Sequence, residues 1–156
     1  MQISPDGIRL IKNFEGVCYT AYKDKAGIWT IGYRHTDGVS ANMSITPDEA
    51  EDYLMADLAE IEQYINAYVS VPLTQHQFDA LVAFGYDVGC QDILRRSDLL
   101  AFLNAGQYNR AADTLLEYNH DDSALVGRRR EAERLLFLTP DETPGWWRLF
   151  TAWLHP

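Results

Sequence analysis

The chain has 156 residues, of which 47% are hydrophobic and 12% aromatic, and it carries a net charge of −10 at pH 7. This composition is typical of one globular domain, and no apolar run approaches the roughly 20 residues of a membrane helix. Residues 35–94 contain eleven acids and no lysine or arginine. We therefore expect no nucleic acid among the partners, since phosphate binding needs clustered cations.

Two features of the sequence bear on the compartment and on cofactors. Residues 1–5 hold neither basic residues nor an apolar core, so we expect cytoplasmic synthesis without a secretory signal. Cys18 and Cys90 provide neither a disulfide framework nor the spacing of a zinc site, and we interpret them as idle or buried thiols. We predict no metal, no cofactor and a monomer.

The first predicted helix begins after Ser4, a capping hydroxyl followed by proline, and ends near Gly16. Its apolar residues recur at helical spacing, which places Glu15 in the last turn. There the negative end of the helix dipole disfavours a charged carboxylate, a setting that suits an acid catalyst. Considered alone, Glu15 could also be an ordinary surface glutamate at the end of a helix.

A β-hairpin is predicted next, with its turn at residues 23–27 and a strand over 28–33. Asp24 in the turn follows Glu15 by nine residues, and Thr30 in the strand follows six residues later. Two carboxylates and a hydroxyl at such a helix-to-sheet corner could form a general acid, a general base and a water holder. By itself Asp24 is an ordinary turn aspartate.

Helices are predicted for most of the remaining chain. A capping box at Thr46 starts a long helix over 47–68 with an acidic, solvated face, and Thr74 starts another that ends at Gly89. Further helices are expected to end at 104–106, to begin near Tyr108 and to cover 128–138. In the last of these, residues 128–130 are arginines that alternate with Glu131 and Glu133, which is typical of a solvated helix face.

The predicted elements divide a single domain into four parts. Residues 1–45 form an N-terminal helix and a small β lobe, 46–68 a connecting helix, 69–138 a helical lobe and 139–156 an aromatic extension. The extension holds three tryptophans and could pack on the body, stack sugars or touch a membrane surface.

Several segments, in order along nearly the whole chain, match one known family. They are Phe-Glu-Gly at 14–16, Ala-Tyr-Lys-Asp at 21–24, Gly-Ile-Trp-Thr-Ile-Gly-Tyr at 27–33, Thr-Pro at 46–47, Pro-Leu-Thr-Gln at 72–75, Gln-Phe-Asp-Ala-Leu-Val at 77–82, Leu-Asn-Ala-Gly at 103–106 and Arg-Arg-Arg-Glu-Ala-Glu at 128–133. With these segments the chain resembles the phage-type lysozymes of glycoside hydrolase family 24.

The resemblance implies an α+β, lysozyme-like fold. Such a fold is mainly helical, with a small N-terminal β-hairpin lobe joined by a long helix to a helical C-terminal lobe. It also implies a muramidase that hydrolyses the β-1,4 bond between N-acetylmuramic acid and N-acetylglucosamine in a peptidoglycan glycan strand. A phage or prophage endolysin without its own export signal would need a holin or another delivery route to reach the cell wall.

The resemblance also implies roles for the residues at the corner. Glu15 would be the general acid, Asp24 would steer a water or stabilise the oxocarbenium-like transition state, and Thr30 would hold that water. An inverting enzyme of this kind should hold its two carboxyl groups roughly 6.5–9.5 Å apart. One arginine of residues 128–130 should pair with Glu15, and we include Arg129 among the cleft candidates.

The chain departs from the family pattern at two cleft positions. Arg34 stands where family members usually have glycine, and it could block a subsite or contact peptide carboxylates. Asp87 stands where the family usually has an amide, and it would add a third carboxylate to the cleft wall. His35 matches a family histidine that is usually structural.

Two other functions remain open from the sequence alone. The chain could be a catalytically weak or inactive lysozyme-fold module that binds peptidoglycan or another protein, with Arg34 and Asp87 as its remodelled features. It could also be an antibacterial effector with the same chemistry as an endolysin. The presence of Glu15, Asp24 and Thr30 together favours an active muramidase.

Overall fold

The computed structural model describes residues 1–89, 98–118 and 124–141. The elements in these ranges are α1 (Pro5–Glu15), β1 (Cys18–Lys23), β2 (Trp29–Gly32), α2 (Pro47–Tyr68), α3 (Gln75–Val88), α4 (Leu99–Asn104), α5 (Tyr108–Leu115) and α6 (Ala124–Leu138). They form a mainly helical chain with one small sheet, as predicted. Within the described ranges, no helix combines the length and apolar character that a membrane crossing requires.

Two predictions from the sequence fall on residues outside the described ranges. These are the interpretation of Cys90 as an idle or buried thiol and most of the aromatic extension, from residue 142 onward.

Side-chain caps fix the starts of α1, α2 and α3. The Ser4 hydroxyl accepts hydrogen bonds from two backbone N–H groups in the first turn of α1. Thr46 with Glu49 at the start of α2, and Thr74 with Gln77 at the start of α3, each form a complete capping box. The predicted starts of these helices are therefore confirmed.

The two strands form an antiparallel hairpin that carries part of the candidate site. Tyr22 pairs with Thr30, and Lys23 pairs with Trp29. The register is interrupted by a bulge between Cys18 and Tyr22. The turn that joins the strands begins at Asp24, because the backbone N–H of this residue donates to the carbonyl of Ile28 at 3.0 Å.

One hydrophobic core joins the helices, and α3 packs against α1, α2 and α6. Leu10 and Ile11 bring α1 into this core, so the N-terminal helix packs with the helical body. α1 also lies very close to α3, since a Cβ placed on Gly7 would come within 2.9 Å of the Asp79 side chain. The division of the domain into the four predicted parts stays a prediction.

Asp79 fixes the start of α1 against α3. This fully buried carboxylate accepts a hydrogen bond from the backbone N–H of Ser4 at 2.8 Å and another from the Gln75 amide at 2.8 Å. Because Ser4 caps α1 and Asp79 lies within α3, this contact holds the two helices together and directs the other end of α1 to a defined place. That end carries Glu15.

Candidate active site

Glu15 is the last residue of α1, and the chain turns away from the helix at Gly16, which has a φ of 66°. The Glu15 side chain is only 2% exposed. Arg129 Nη1 donates to its Oε1 at 2.6 Å, and Arg34 Nη1 donates to its Oε2 at 3.4 Å. Two cations thus offset the cost of placing this carboxylate out of water.

Arg129 is held from several sides. Its Nε donates to Glu133 at 3.1 Å, its Nη2 donates to the carbonyl of Ala83 at 3.3 Å, and its Nη1 also lies 3.2 Å from Asp87. Burial alone would lower the pKa of Arg129, but the carboxylates around it outweigh burial and raise the pKa. Arg129 is therefore a permanent cation with little freedom to leave Glu15.

The prediction of a solvated face on the last helix is wrong for three residues. Arg129, Arg130 and Glu133 are 5%, 1% and 0% exposed. They lie on the side of α6 that packs on α3, where spacings of three and four residues place them next to one another. Alternating charges describe a solvated face and a buried ionic cluster equally well, so the pattern alone could not separate them.

Asp87, near the end of α3, is the second carboxylate of this cluster. Arg130 Nη2 donates to Oδ2, and both Arg34 Nη1 and Arg129 Nη1 lie 3.2 Å from Oδ1. The structure therefore places Asp87 beside Glu15, and Arg34 and Arg129 each contact both carboxylates.

Arg34 joins the two carboxylates from the other side of the site. Its backbone has a φ of 69°, in the left-handed region that glycine adopts without strain. That geometry gives a physical reason for the glycine that the resemblance implies at this position. The side chain is 48% exposed, and nearby Glu15 and Asp87 raise the pKa of Arg34 although its partial burial opposes them.

Asp24 shapes the hairpin turn with one of its oxygens. Oδ1 accepts hydrogen bonds from the backbone N–H groups of Ala26 and Ile28, both at 2.9 Å. Oδ2 takes no hydrogen bond from the described residues, which leaves it available to water or substrate. Asp24 is therefore both a turn residue and a candidate catalytic group.

Thr30 lies in β2 and is 2% exposed. Its hydroxyl donates to the carbonyl of Ile28 at 3.1 Å. With its proton engaged in this way, the hydroxyl oxygen can serve only as an acceptor towards a water.

His35 lies on the side of the hairpin that faces α2. Its Nδ1 lies 2.9 Å from each carboxylate oxygen of Asp57, and its ring stacks on Tyr53 with centroids 4.4 Å apart. These contacts tie the hairpin to α2. Among the sequence-predicted cleft residues, His35 is the one that the structure places against the connecting helix.

A pocket of about 520 Å³ connects the hairpin side with the helical side. It is lined by Tyr22, Asp24, Lys25, Ala26, Arg34, Asp87 and Val126. Glu15 adjoins this pocket through Arg34, which covers its carboxylate. Within the described ranges, no group of three or more His, Cys, Asp or Glu side chains is arranged to hold a metal ion.

The arrangement defines a class of site. Asp24 lines the pocket, and the buried carboxylate of Glu15 lies behind Arg34, another lining residue. Glycoside hydrolases use a pair of carboxyl groups, so this arrangement is compatible with that chemistry. Neither a metal cluster nor a nucleophile–base pair is needed for such chemistry.

Comparison with known proteins gives the family. The sequence model for phage lysozyme matches residues 12–133. The endolysin of Acyrthosiphon pisum secondary endosymbiont phage 1 is 37% identical over 144 residues, which cover 88% of this chain and 98% of that protein. The chain therefore belongs to the phage lysozyme family.

Solved structures agree with this assignment. The muramidase domain of SpmX from Asticaccaulis excentricus is 37% identical, with a TM-score of 0.83 over 89% of this chain and 99% of that one. A mutant of P22 lysozyme is 39% identical, with a TM-score of 0.76 over the same shares. The predicted α+β, lysozyme-like fold is thus confirmed.

Proposed function

We propose that this chain is a muramidase that cleaves the β-1,4 bond between N-acetylmuramic acid and N-acetylglucosamine in peptidoglycan, and that it acts as a phage or prophage endolysin. The observation that carries the proposal is the buried carboxyl of Glu15, held by Arg129 at the edge of a pocket that Asp24 lines. Membership of the phage lysozyme family supports the same substrate.

Glu15 is the general acid in this proposal. A general acid must come within about 3 Å of the leaving oxygen, and Glu15 is the one buried carboxylate that adjoins the pocket from α1. Its place in the last turn of the helix and its two arginine partners fix the direction of the carboxyl group. Proton transfer to the glycosidic oxygen generates the oxocarbenium-like transition state.

Asp24 and Thr30 act on the other side of the bond. Asp24 lines the pocket, and its unengaged Oδ2 steers a water or stabilises the developing positive charge. Thr30 accepts a hydrogen bond from that water. We propose inversion at the anomeric carbon, since a water between two carboxyl groups roughly 6.5–9.5 Å apart attacks from the face opposite the acid.

Arg34 must move before the glycan can reach Glu15. The carboxylate is 2% exposed while Arg34 lies on it. The contact at 3.4 Å is longer than the about 2.7–2.9 Å of a strong ionic hydrogen bond, and half of the Arg34 side chain is in solvent. Arg34, with Asp87 as its second anchor, therefore tunes access to the acid.

The test is the chemistry of the product. Purified peptidoglycan is digested with the wild-type protein, and the new reducing ends are identified and their anomeric configuration followed by NMR during the first turnovers. We expect N-acetylmuramic acid at the reducing end, released as the α-anomer. N-acetylglucosamine ends would contradict a muramidase, and the β-anomer would contradict inversion.

A binding assay separates this function from a non-catalytic module. The protein is pelleted with insoluble peptidoglycan, and the supernatant is assayed for reducing sugar. Pelleting without any release of reducing sugar would contradict the proposed activity and identify a peptidoglycan-binding domain instead.

A further inference from the structure

Glu133 is a fully buried carboxylate that the mechanism above does not use. It lies on α6 and is 0% exposed. Arg129 Nε donates to its Oε1 at 3.1 Å, and Arg130 Nη1 donates to its Oε2. Each oxygen of Glu133 is therefore occupied by a different arginine.

The same two arginines also contact the carboxylates of the site through their Nη atoms. Arg129 Nη1 contacts Glu15 and Asp87, and Arg130 Nη2 contacts Asp87. A guanidinium is a rigid planar fork, so holding one edge of the fork fixes the direction of the other. Glu133 therefore binds one edge of each of the two guanidinium groups, and the opposite edge of each group contacts the carboxylates of the cleft.

Few other described groups could replace Glu133 in orienting Arg130. Arg130 is 1% exposed, its guanidinium lies 4.8 Å from the ring of Phe84, and its Nε has no hydrogen-bond partner among the described residues. Aromatic packing does not define the rotation of a guanidinium about its own axis. The two carboxylates at its ends, Glu133 and Asp87, define that rotation.

We propose that Glu133 is a positioning residue whose ionised carboxylate aims Arg129 at Glu15, so that the loss of its charge misplaces the general acid and lowers the catalytic rate. The inference rests on the proposed function, because Glu15 must be the acid for its placement to matter. A protonated or amide side chain keeps the volume but places a donor group where one of the two arginine-binding oxygens was.

This role makes activity depend on pH near neutrality. Burial raises the pKa of Glu133 to about 7, against the lowering effect of Arg130 and Arg129 and with a smaller raising effect of Asp87. These three residues face Glu133 from α6 and α3, and Glu15 and Arg34 lie beyond them. Because the charged form holds both arginines, the rate should rise with pH through about 7.

The test compares kcat and KM for solubilised peptidoglycan across the neutral pH range in three proteins. They are wild type, Glu133→Gln and the control Asp113→Asn. The control is on α5 and removes the exposed partner of Arg134, which follows Glu133 on α6. We expect Glu133→Gln to lose about 100-fold in kcat with little change in KM, since misplacement of a catalytic group by about 1 Å has that effect. In Glu133→Gln, kcat should also no longer rise with pH near 7. The control should keep the wild-type kcat and the wild-type pH dependence.

Two outcomes contradict different claims. An inactive wild type contradicts the proposed function itself. An active wild type whose kcat and pH profile are matched by Glu133→Gln overturns the positioning role.

A measurement on the wild type covers the case in which Glu133→Gln does not fold. The Nε–H proton of Arg129 donates to Glu133 and can be followed by NMR. Its chemical shift should change with pH with the same midpoint as kcat. A resonance that stays constant while kcat rises would overturn the proposal.

Discussion

The two sides of the pocket are built in opposite ways. On the hairpin side, Asp24 receives its hydrogen bonds from residues two and four positions along the chain, and its other oxygen stays open. On the helical side, Glu15 is bound by Arg129, which is 114 positions away, and by Arg34. The first arrangement is local and half-exposed, whereas the second is long-range, buried and ionic.

This difference determines how each side responds to change. A local turn keeps its geometry as long as its own backbone hydrogen bonds remain. The helical side holds the carboxylates of Glu15, Asp87 and Glu133 and the guanidinium groups of Arg129 and Arg130, and Arg34 from the hairpin side balances the formal charges. Removing one member of a buried ionic cluster leaves its partners uncompensated. Substitutions should therefore act singly on the hairpin side and collectively on the helical side.

After substitution of Glu15 itself, the largest effect is expected on the hairpin side, from Asp24. Asp24→Ala removes both the turn acceptor and the charge, whereas Asp24→Asn keeps an oxygen for the N–H groups of Ala26 and Ile28. Both variants should lose about 100-fold or more in the rate of peptidoglycan cleavage if the charge matters. A wild-type rate in Asp24→Asn combined with a loss in Asp24→Ala would reduce Asp24 to a turn residue.

Arg34 should produce a smaller effect of the opposite sign. Arg34→Gly uncovers the carboxylate of Glu15 and suits the left-handed backbone at this position, so we expect a several-fold rise in turnover or a wider range of cleaved glycans. Arg34→Lys, which retains a cation, is the matched control and should stay close to wild type. An unchanged rate in Arg34→Gly would show that Arg34 does not limit access.

Asp87 should change the pH dependence more than the maximal rate. In Asp87→Asn the contribution of Asp87 to the raised pKa of Glu133 is lost. This change moves the pH optimum of cleavage downward. An optimum that stays at its wild-type position in a full pH profile would remove Asp87 from this role.

Asp141 tests stability apart from the site. Its carboxylate accepts hydrogen bonds from the backbone N–H groups of Gln75 and His76 at 2.8 and 2.9 Å. Partial burial alone would raise the pKa of Asp141, but these hydrogen bonds outweigh it and lower the pKa. Asp141→Asn should lower the free energy of unfolding by at most about 1 kcal/mol without changing kcat. Because the folded-state pKa is lowered, this stabilisation is present above about pH 4 and is lost as the pH falls further.

Thermal unfolding of both proteins at several pH values checks this prediction. The difference in melting temperature should shrink in acid, where wild-type Asp141 is itself protonated. A difference that is constant with pH, or a loss of kcat, would contradict the assigned role.

The local side of the site could be predicted from the sequence and much of the buried side could not. The helix end at Glu15 and the turn at Asp24 follow from capping residues, periodicity and turn chemistry within about ten residues. The choice of Arg129 as the partner of Glu15 depends on how α6 lies on α3, and that placement has no local signal. For the same reason Arg130 and Glu133 were expected in solvent and are buried.

The central claim is that Glu15 donates the proton that breaks the glycosidic bond. The most direct measurement is the initial rate of reducing-sugar release from purified peptidoglycan by wild type, Glu15→Gln and the control Glu60→Gln, a surface substitution on α2. Glu15→Gln should lose about 1,000-fold or more while Glu60→Gln matches wild type. Equal rates for wild type and Glu15→Gln would contradict the assignment.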